Sequence, residues 1–193
     1  MKMRNVVLVA GIIFLSCAKV KSSEQAAGTT EKKMFVLQDF EQSNFNGGVW
    51  EEFMHDRHVT FVGSKSNLVK LGDKGHSFAL DYDFRADNDL VGGIWLDVSG
   101  YDFSGYQYFG FWVKGEPAVG YARIIGITFE DQNGHSVTKM SSKVSDNWQK
   151  IEIPLASLNR ANLSEPTEIN VIIDRRYIDQ TTGRTYFDNF YLR

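Results

Sequence analysis

A single cysteine in 193 residues excludes a disulfide framework and a cysteine-rich zinc site. There is no basic run, and a formal net charge of −3 argues against nucleic acid as a partner. The longest apolar run is ten residues, Val6–Leu15, short of the roughly 20 that a membrane-spanning helix needs. Gly-x-Ser-x-Gly, a phosphate-binding glycine loop and His-Glu-x-x-His are all missing. No window carries a helical period over twelve residues. Proline is scarce, at three, while Gly 17, Phe 14, Tyr 8 and Trp 4 are plentiful, which predicts a β-rich domain with many turns.

Lys2 and Arg4 precede Val6–Leu15, so residues 1–16 read as a secretory signal peptide. Phe14-Leu15-Ser16-Cys17 resembles a bacterial lipobox and predicts that Cys17 becomes a lipidated first residue. Cleavage after Ala18, with Ser16 and Ala18 as the small residues, is the alternative. The expected location is the bacterial cell envelope through a lipid anchor, otherwise the periplasm or the medium, with the membrane touched only by that anchor. Residues 17–33 lack aromatics and read as a flexible tether. All four Trp and all eight Tyr follow, in one expected domain over 34–193.

Within that domain apolar and polar residues alternate with period two. Phe78, Leu80, Tyr82 and Phe84 share a face, opposite Ala79, Asp81 and Asp83. Ile94, Leu96 and Val98 alternate with Trp95 and Asp97; Phe109, Phe111 and Val113 with Tyr108, Gly110 and Trp112. Ile151, Ile153 and Leu155 form a similar set, as do Ile169, Val171 and Ile173, and Tyr186–Leu192 reads as a last strand. Asn133-Gly134 predicts a tight hairpin, because both residues tolerate positive φ. Thr182-Gly183, Gly47-Gly48, Gly92-Gly93 and Gly115 read as further connections, and Leu155–Asn162 as a short helical turn. Short strands without a helical layer must bury sheet on sheet, so the expected class is all-β, a β-sandwich or jelly roll.

Tyr101–Gly115, YDFSGYQYFGFWVKG, resembles the central motif of family 11 carbohydrate-binding modules and of related complex I intermediate-associated domains. Val36–Glu41 is similar to that family's opening strand, Trp148–Leu155 to its Ile-Pro-Leu strand and Tyr186–Leu192 to its closing strand. The resemblance spans Phe35–Arg193 and implies a galactose-binding-like jelly roll, a non-catalytic glycan binder with a structural calcium ion. Such modules usually accompany a catalytic domain; behind a leader and tether, retention, capture or docking is expected instead.

Asp39 and Glu41 point the same way from the opening strand, and Asp188 lies on the closing strand, a neighbour in the resemblance. These three are the candidate Ca²⁺ ligands, hard oxygens of the kind calcium selects, with solvent-facing charges as the plainer reading. Sugar rings stack on aromatics while carboxylates and Arg bond their hydroxyls. Trp95, Asp97, Tyr108, Tyr121, Arg123 and Tyr177 are the candidate glycan-binding residues, provided that the outward faces of their strands lie side by side. Trp95 and Trp112 have core packing as their alternative. Paired acids such as Asp81 and Asp83, or Asp87 and Asp89, carry the glycoside hydrolase alternative. His55 and His58 read as a solvated loop. The expected function is polysaccharide or glycan binding by a surface-tethered module; the alternative is a structural or assembly protein of the envelope that contacts another protein.

Overall fold

In a computed structural model the described residues are 34–41, 47–51, 59–84, 91–159 and 161–193. Cys17, the leader, the tether, His55, His58, Asp87 and Asp89 lie outside them. The strands are β1 (Phe35–Gln38), β2 (Gly47–Glu51), β3 (Val59–Ser66), β4 (Ser77–Phe84), β5 (Val91–Asp97), β6 (Tyr108–Gly115), β7 (Ile125–Asp131), β8 (Ser136–Ser141), β9 (Gln149–Pro154), β10 (Pro166–Asp174) and β11 (Thr182–Leu192). Two antiparallel sheets pack face to face as a β-sandwich. The six-stranded sheet runs β3-β4-β11-β6-β9, with β1 paired to the far end of β11; the five-stranded sheet runs β2-β5-β10-β7-β8.

The period-two pattern explains the layers. Leu80, Phe109, Phe111, Val113, Ile151 and Phe187 point inward from the larger sheet; Ile94, Leu96, Ile127, Phe129, Ile169 and Val171 point inward from the smaller. Phe109 meets Phe129 edge-on across the two sheets, centroids 5.2 Å apart, and Phe111 stacks on Phe190 at 4.9 Å. Such pairs add to stability beyond the area they bury. β11 changes register between Asp188 and Tyr191, where Asn189 takes a left-handed φ of 47°. This bulge lets Phe187 and Phe190 both face the core while Asp188 and Tyr191 face outward.

The Asn133-Gly134 turn forms as expected: Gly134 has φ 74° and joins β7 to β8. The helical turn shrinks to a 3-10 turn at Leu155–Ser157. Thr182-Gly183 is a correction. Both lie inside β11, paired with Asp83 and Tyr82, and the chain reverses earlier, through a 3-10 turn at Arg175–Tyr177. Gly183 is glycine because the Tyr82 hydroxyl occupies the place of its Cβ. Gly92-Gly93 and Gly47-Gly48 likewise sit within β5 and β2.

Candidate functional site

The outward face of the five-stranded sheet is read directly from strand register. One row across it is Gly48, Trp95, Asn170, Thr128 and Thr138. The next is Trp50, Gly93, Ile172, Gly126 and Met140. On the other side of the Trp95 row lie Asp97, Glu168, Glu130 and Ser136. In the Gly93 row Ile172 stands between two glycines, and the Val171 carbonyl approaches the place of the Gly93 Cβ. A Cβ on Gly126 would meet Ile172, Met140 and Thr138 at 3.4 to 3.6 Å, ordinary contact, so a small side chain would be accommodated there.

Two cavities occupy this trough. The first, about 440 Å³, is lined by Trp95, Thr128, Glu168, Asn170 and Ile172. The second, about 260 Å³, shares Ile172 with the first and is lined further by Thr138, Met140, Asp174, Arg176 and Tyr177. They succeed one another along β10, the central strand. Trp95 is half-buried and leans over β2, where a Cβ on Gly48 would stand 2.7 Å from its indole nitrogen. That glycine makes room for the ring to lie across the sheet.

The polar groups are fixed in place. Asn170 Nδ2 donates to Glu168 Oε1 at 2.6 Å, and the Thr128 and Thr138 hydroxyls share a hydrogen bond of 2.7 Å. Asp97 accepts from the Ser99 amide at 2.9 Å, a bond that holds its carboxyl below the usual range. Arg176 is committed to Asp174, Nε to Oδ1 at 3.0 Å, and lies over the Tyr177 ring at 5.7 Å. The surface presented is apolar floor, an indole, an amide, hydroxyls and carboxylates. It suits a flat, hydroxyl-rich, uncharged ligand.

The expected glycan-binding residues divide. Trp95, Asp97 and Tyr177 lie on or at the rim of this face. Tyr108 does not: it belongs to β6 in the other sheet and carries the Arg193 guanidinium over its ring at 4.3 Å. Tyr121 is half-buried against the core, its ring over Gly115. Arg123 is exposed in the segment before β7. The outward positions of β4, β5 and β6 thus do not form one surface, because β4 and β6 are in one sheet and β5 is in the other. Parity within a strand says nothing about which sheet the strand joins. Trp112 is half-buried and outward-facing, opposite Asp188 and Lys150. Sequence reading missed Thr128, Glu168, Asn170 and Ile172. Its signal was there, in outward-facing polar residues of strands whose inward positions are Ile and Val.

The outward face of the six-stranded sheet is filled. Tyr191, only 2% exposed, covers Gly110 and donates to Glu152 at 2.8 Å. Arg193, a Lys150 ion pair and Tyr191 hold Glu152 down to about 2. Tyr186 donates to Glu116 at 3.1 Å, and Arg184 grips Asp81 at 2.7 and 2.9 Å. Asp81 is therefore a structural ion-pair partner here, not one of a free acid–base pair.

At the end of the sandwich Asp188 is buried, accepting from the Asn189 amide at 2.7 Å and the Leu71 amide at 3.3 Å. Burial raises its carboxyl to about 6, and the charges of Glu41 and Asp39 push the same way. Asp39 Oδ1 accepts from the Glu41 amide at 3.1 Å, and Glu41 Oε1 from the His76 amide at 2.8 Å. The three carboxylates share one end of the domain, but among the described residues no three His, Cys, Asp or Glu side chains converge as metal ligands.

No protein-family model and no curated protein matches the sequence. Solved structures do match in fold. The chain is similar to the family 11 carbohydrate-binding module of a cellulosomal cellulase of Clostridium thermocellum (18% identity, 83% of this chain, 94% of that one, TM-score 0.61). It is equally similar to a family 11 module from the same organism in complex with a β-1,3-1,4-mixed-linked tetrasaccharide (19% identity, 82% and 94%, TM-score 0.60). A β-1,2-glucanase from Parabacteroides distasonis also matches (10% identity, TM-score 0.57); the alignment takes 82% of this chain but 24% of that one. The fold is that of these jelly-roll modules.

Proposed function

We propose that this chain is a non-catalytic polysaccharide-binding module that holds a neutral glycan in the trough of its five-stranded sheet. The observation that carries the reading is the pair of cavities that follow β10 on this face, one over Asn170 and Ile172 beside Trp95, the other over Ile172 and Gly126 beside Tyr177. The half-buried Trp95 indole supplies a stacking wall, and Asn170, Thr128 and Glu168 supply donors and acceptors for hydroxyls. The fold similarity to modules one of which was solved with a mixed-linkage tetrasaccharide supports the same reading. Burying part of one indole face contributes roughly 2 kcal/mol. With a second contact at Tyr177, less ordering costs, the affinity falls in the micromolar to millimolar range.

The row Asp97–Glu168–Glu130 sets the charge of the ligand. Like charges on neighbouring strands repel one another, and a polyuronate or sulfated chain would add to that repulsion. Neutral polysaccharides are the class that fits. Export, with Cys17 lipidated and residues 17–33 as a tether, places the module at the cell surface in this proposal, where it retains a chain instead of cleaving it.

Affinity electrophoresis tests the reading. The protein is run through gels containing mixed-linkage β-glucan, xylan, agarose, alginate or polygalacturonate, beside Trp95→Ala. Retardation by a neutral polymer that Trp95→Ala abolishes is the expected result. Migration unaffected by every neutral polymer, or retardation that Trp95→Ala leaves intact, overturns it.

A further inference from the structure

Past the Glu168 end of the trough the chain builds another cavity, about 300 Å³, from three separate segments. One wall is the turn after β5, with Ser99, Tyr101 and Asp102; the second is Gln132 of the β7–β8 hairpin; the third is the approach to β10, with Glu165 and Thr167. The walls are tied together. Ser99 Oγ donates to the Thr167 carbonyl at 3.4 Å, the Gln132 amide donates to the Glu165 carbonyl at 3.1 Å, and the Gln132 and Glu165 side chains are hydrogen-bonded. Asn162 Nδ2 adds a bond to Glu165 Oε2 at 2.9 Å. The Tyr101 amide donates to the Val98 carbonyl at 3.2 Å across a turn in which Gly100 takes φ 84°, a value glycine adopts without strain. The cavity is thus ordered before any ligand arrives, which removes part of the ordering cost of binding.

Its position matters as much as its lining. Glu168 lines the Trp95 cavity, and Pro166 and Thr167, the two residues before it on β10, line this one. The two cavities are consecutive along a single strand. Tyr101 is 37% exposed at the rim, with its ring against Phe35, centroids 5.7 Å apart. The ring is supported on one side and open to solvent elsewhere. A supported, exposed phenol beside an amide, hydroxyls and carboxylates repeats the chemistry of the Trp95 cavity on a separate set of loops.

We propose that this loop cavity is an additional sugar subsite, which takes an uncharged pyranose unit from the same polysaccharide chain that lies over Trp95. The proposal rests on the polysaccharide-binding reading of the trough and extends it. The ligand runs along β10 and passes over the end of the sheet, so affinity depends on chain length. Tyr101 supplies the stacking surface, and Asp102, Gln132 and Ser99 face the hydroxyls.

The test is isothermal titration of the full chain with a tetrasaccharide and an octasaccharide from mixed-linkage β-glucan, for wild type, Trp95→Ala, Tyr101→Ala and Tyr101→Phe. Thermal melts check that each variant is folded. Trp95→Ala weakens both ligands. Tyr101→Ala weakens the octasaccharide by about fivefold, the loss expected for one partly exposed stacking contact, and leaves the tetrasaccharide unchanged. Tyr101→Phe keeps the ring and restores octasaccharide affinity. Trp95-dependent binding in which Tyr101→Ala has the same effect on both lengths, or none, overturns the subsite while leaving the trough standing. If wild type binds neither oligosaccharide, nor the corresponding pair from xylan or agarose, the reading of the trough fails and the subsite fails with it.

Discussion

The two outward faces of this sandwich solve the same problem in opposite ways. Each sheet has glycine at outward positions in its interior strands. On the six-stranded sheet, Gly110 of β6 is covered by Tyr191 from β11, whose hydroxyl is fastened to Glu152. On the five-stranded sheet, Gly126 stands beside Ile172 and lines a cavity with it, while Gly93 admits the close approach of the Val171 carbonyl. The first face is closed by tyrosines and ion pairs and stabilises the protein. The second leaves apolar surface and polar groups accessible, as a binding face must. The same residue type thus lies under a ring on one face and lines a cavity on the other.

Truncating the cover should show the largest effect. Tyr191→Ala removes a buried ring and its bond to Glu152, and should cost about 3 kcal/mol in urea unfolding while leaving glycan affinity unchanged. Trp95→Ala should do the reverse: about thirtyfold weaker polysaccharide binding in titration calorimetry, from the roughly 2 kcal/mol of stacking, with an unchanged unfolding midpoint. Filling the trough is subtler. A Cβ on Gly126 meets only ordinary contacts, so Gly126→Val should fold as well as wild type and bind about tenfold more weakly, whereas Gly110→Ala would strike the Tyr191 ring and destabilise. A Gly126→Val variant with full affinity would remove the hollow from the account.

The smaller predictions concern pH, and their signs differ. Glu152 is held at about 2 in the fold, below its unfolded value. Its contribution is present above pH 4.5 and is lost as pH falls toward 2, so Glu152→Gln should flatten the acid limb of a stability–pH curve. Asp188, raised to about 6 by burial, acts in the other direction. Folding favours its protonated form, so stability is full below pH 4, declines as pH rises to 6 and is then level. Asp188→Asn should raise the melting temperature at pH 8 in EDTA and change little at pH 4. Because the carboxylates do not converge as metal ligands among the described residues, calcium should leave the wild-type melting temperature unmoved. A calcium-dependent rise lost in Asp188→Asn would contradict that placement.

Much of this was legible in the sequence, and the failures have physical causes. Alternation gave the inward faces of β4, β5, β6, β9 and β10 correctly, because burial on one face enforces period two regardless of partner. It did not say which strands share a sheet. For that reason Tyr108 was grouped with Trp95 although Arg193 already covers its ring from the opposite side of the sandwich. Glycine was the second source of error. Gly92-Gly93 and Thr182-Gly183 look like turns in one dimension, but Phe61 and Tyr82 occupy the places of the Gly92 and Gly183 Cβ atoms, so these glycines serve close approach within strands. The cavity over Ile172 depends on another in-strand glycine, Gly126, which becomes visible only when register sets it beside Ile172. The outward parity of Trp95 and Asp97, by contrast, could be read from β5 alone.

The most direct measurement is an amide and indole chemical-shift titration of the isotope-labelled protein with mixed-linkage β-glucan oligosaccharides. The account predicts shifts at the Trp95 indole and along β5, β10 and β7, with the β6 and β9 amides and the Tyr108 region unmoved. Shifts centred on the outward face of the six-stranded sheet, or a spectrum that no neutral glycan perturbs, would contradict it.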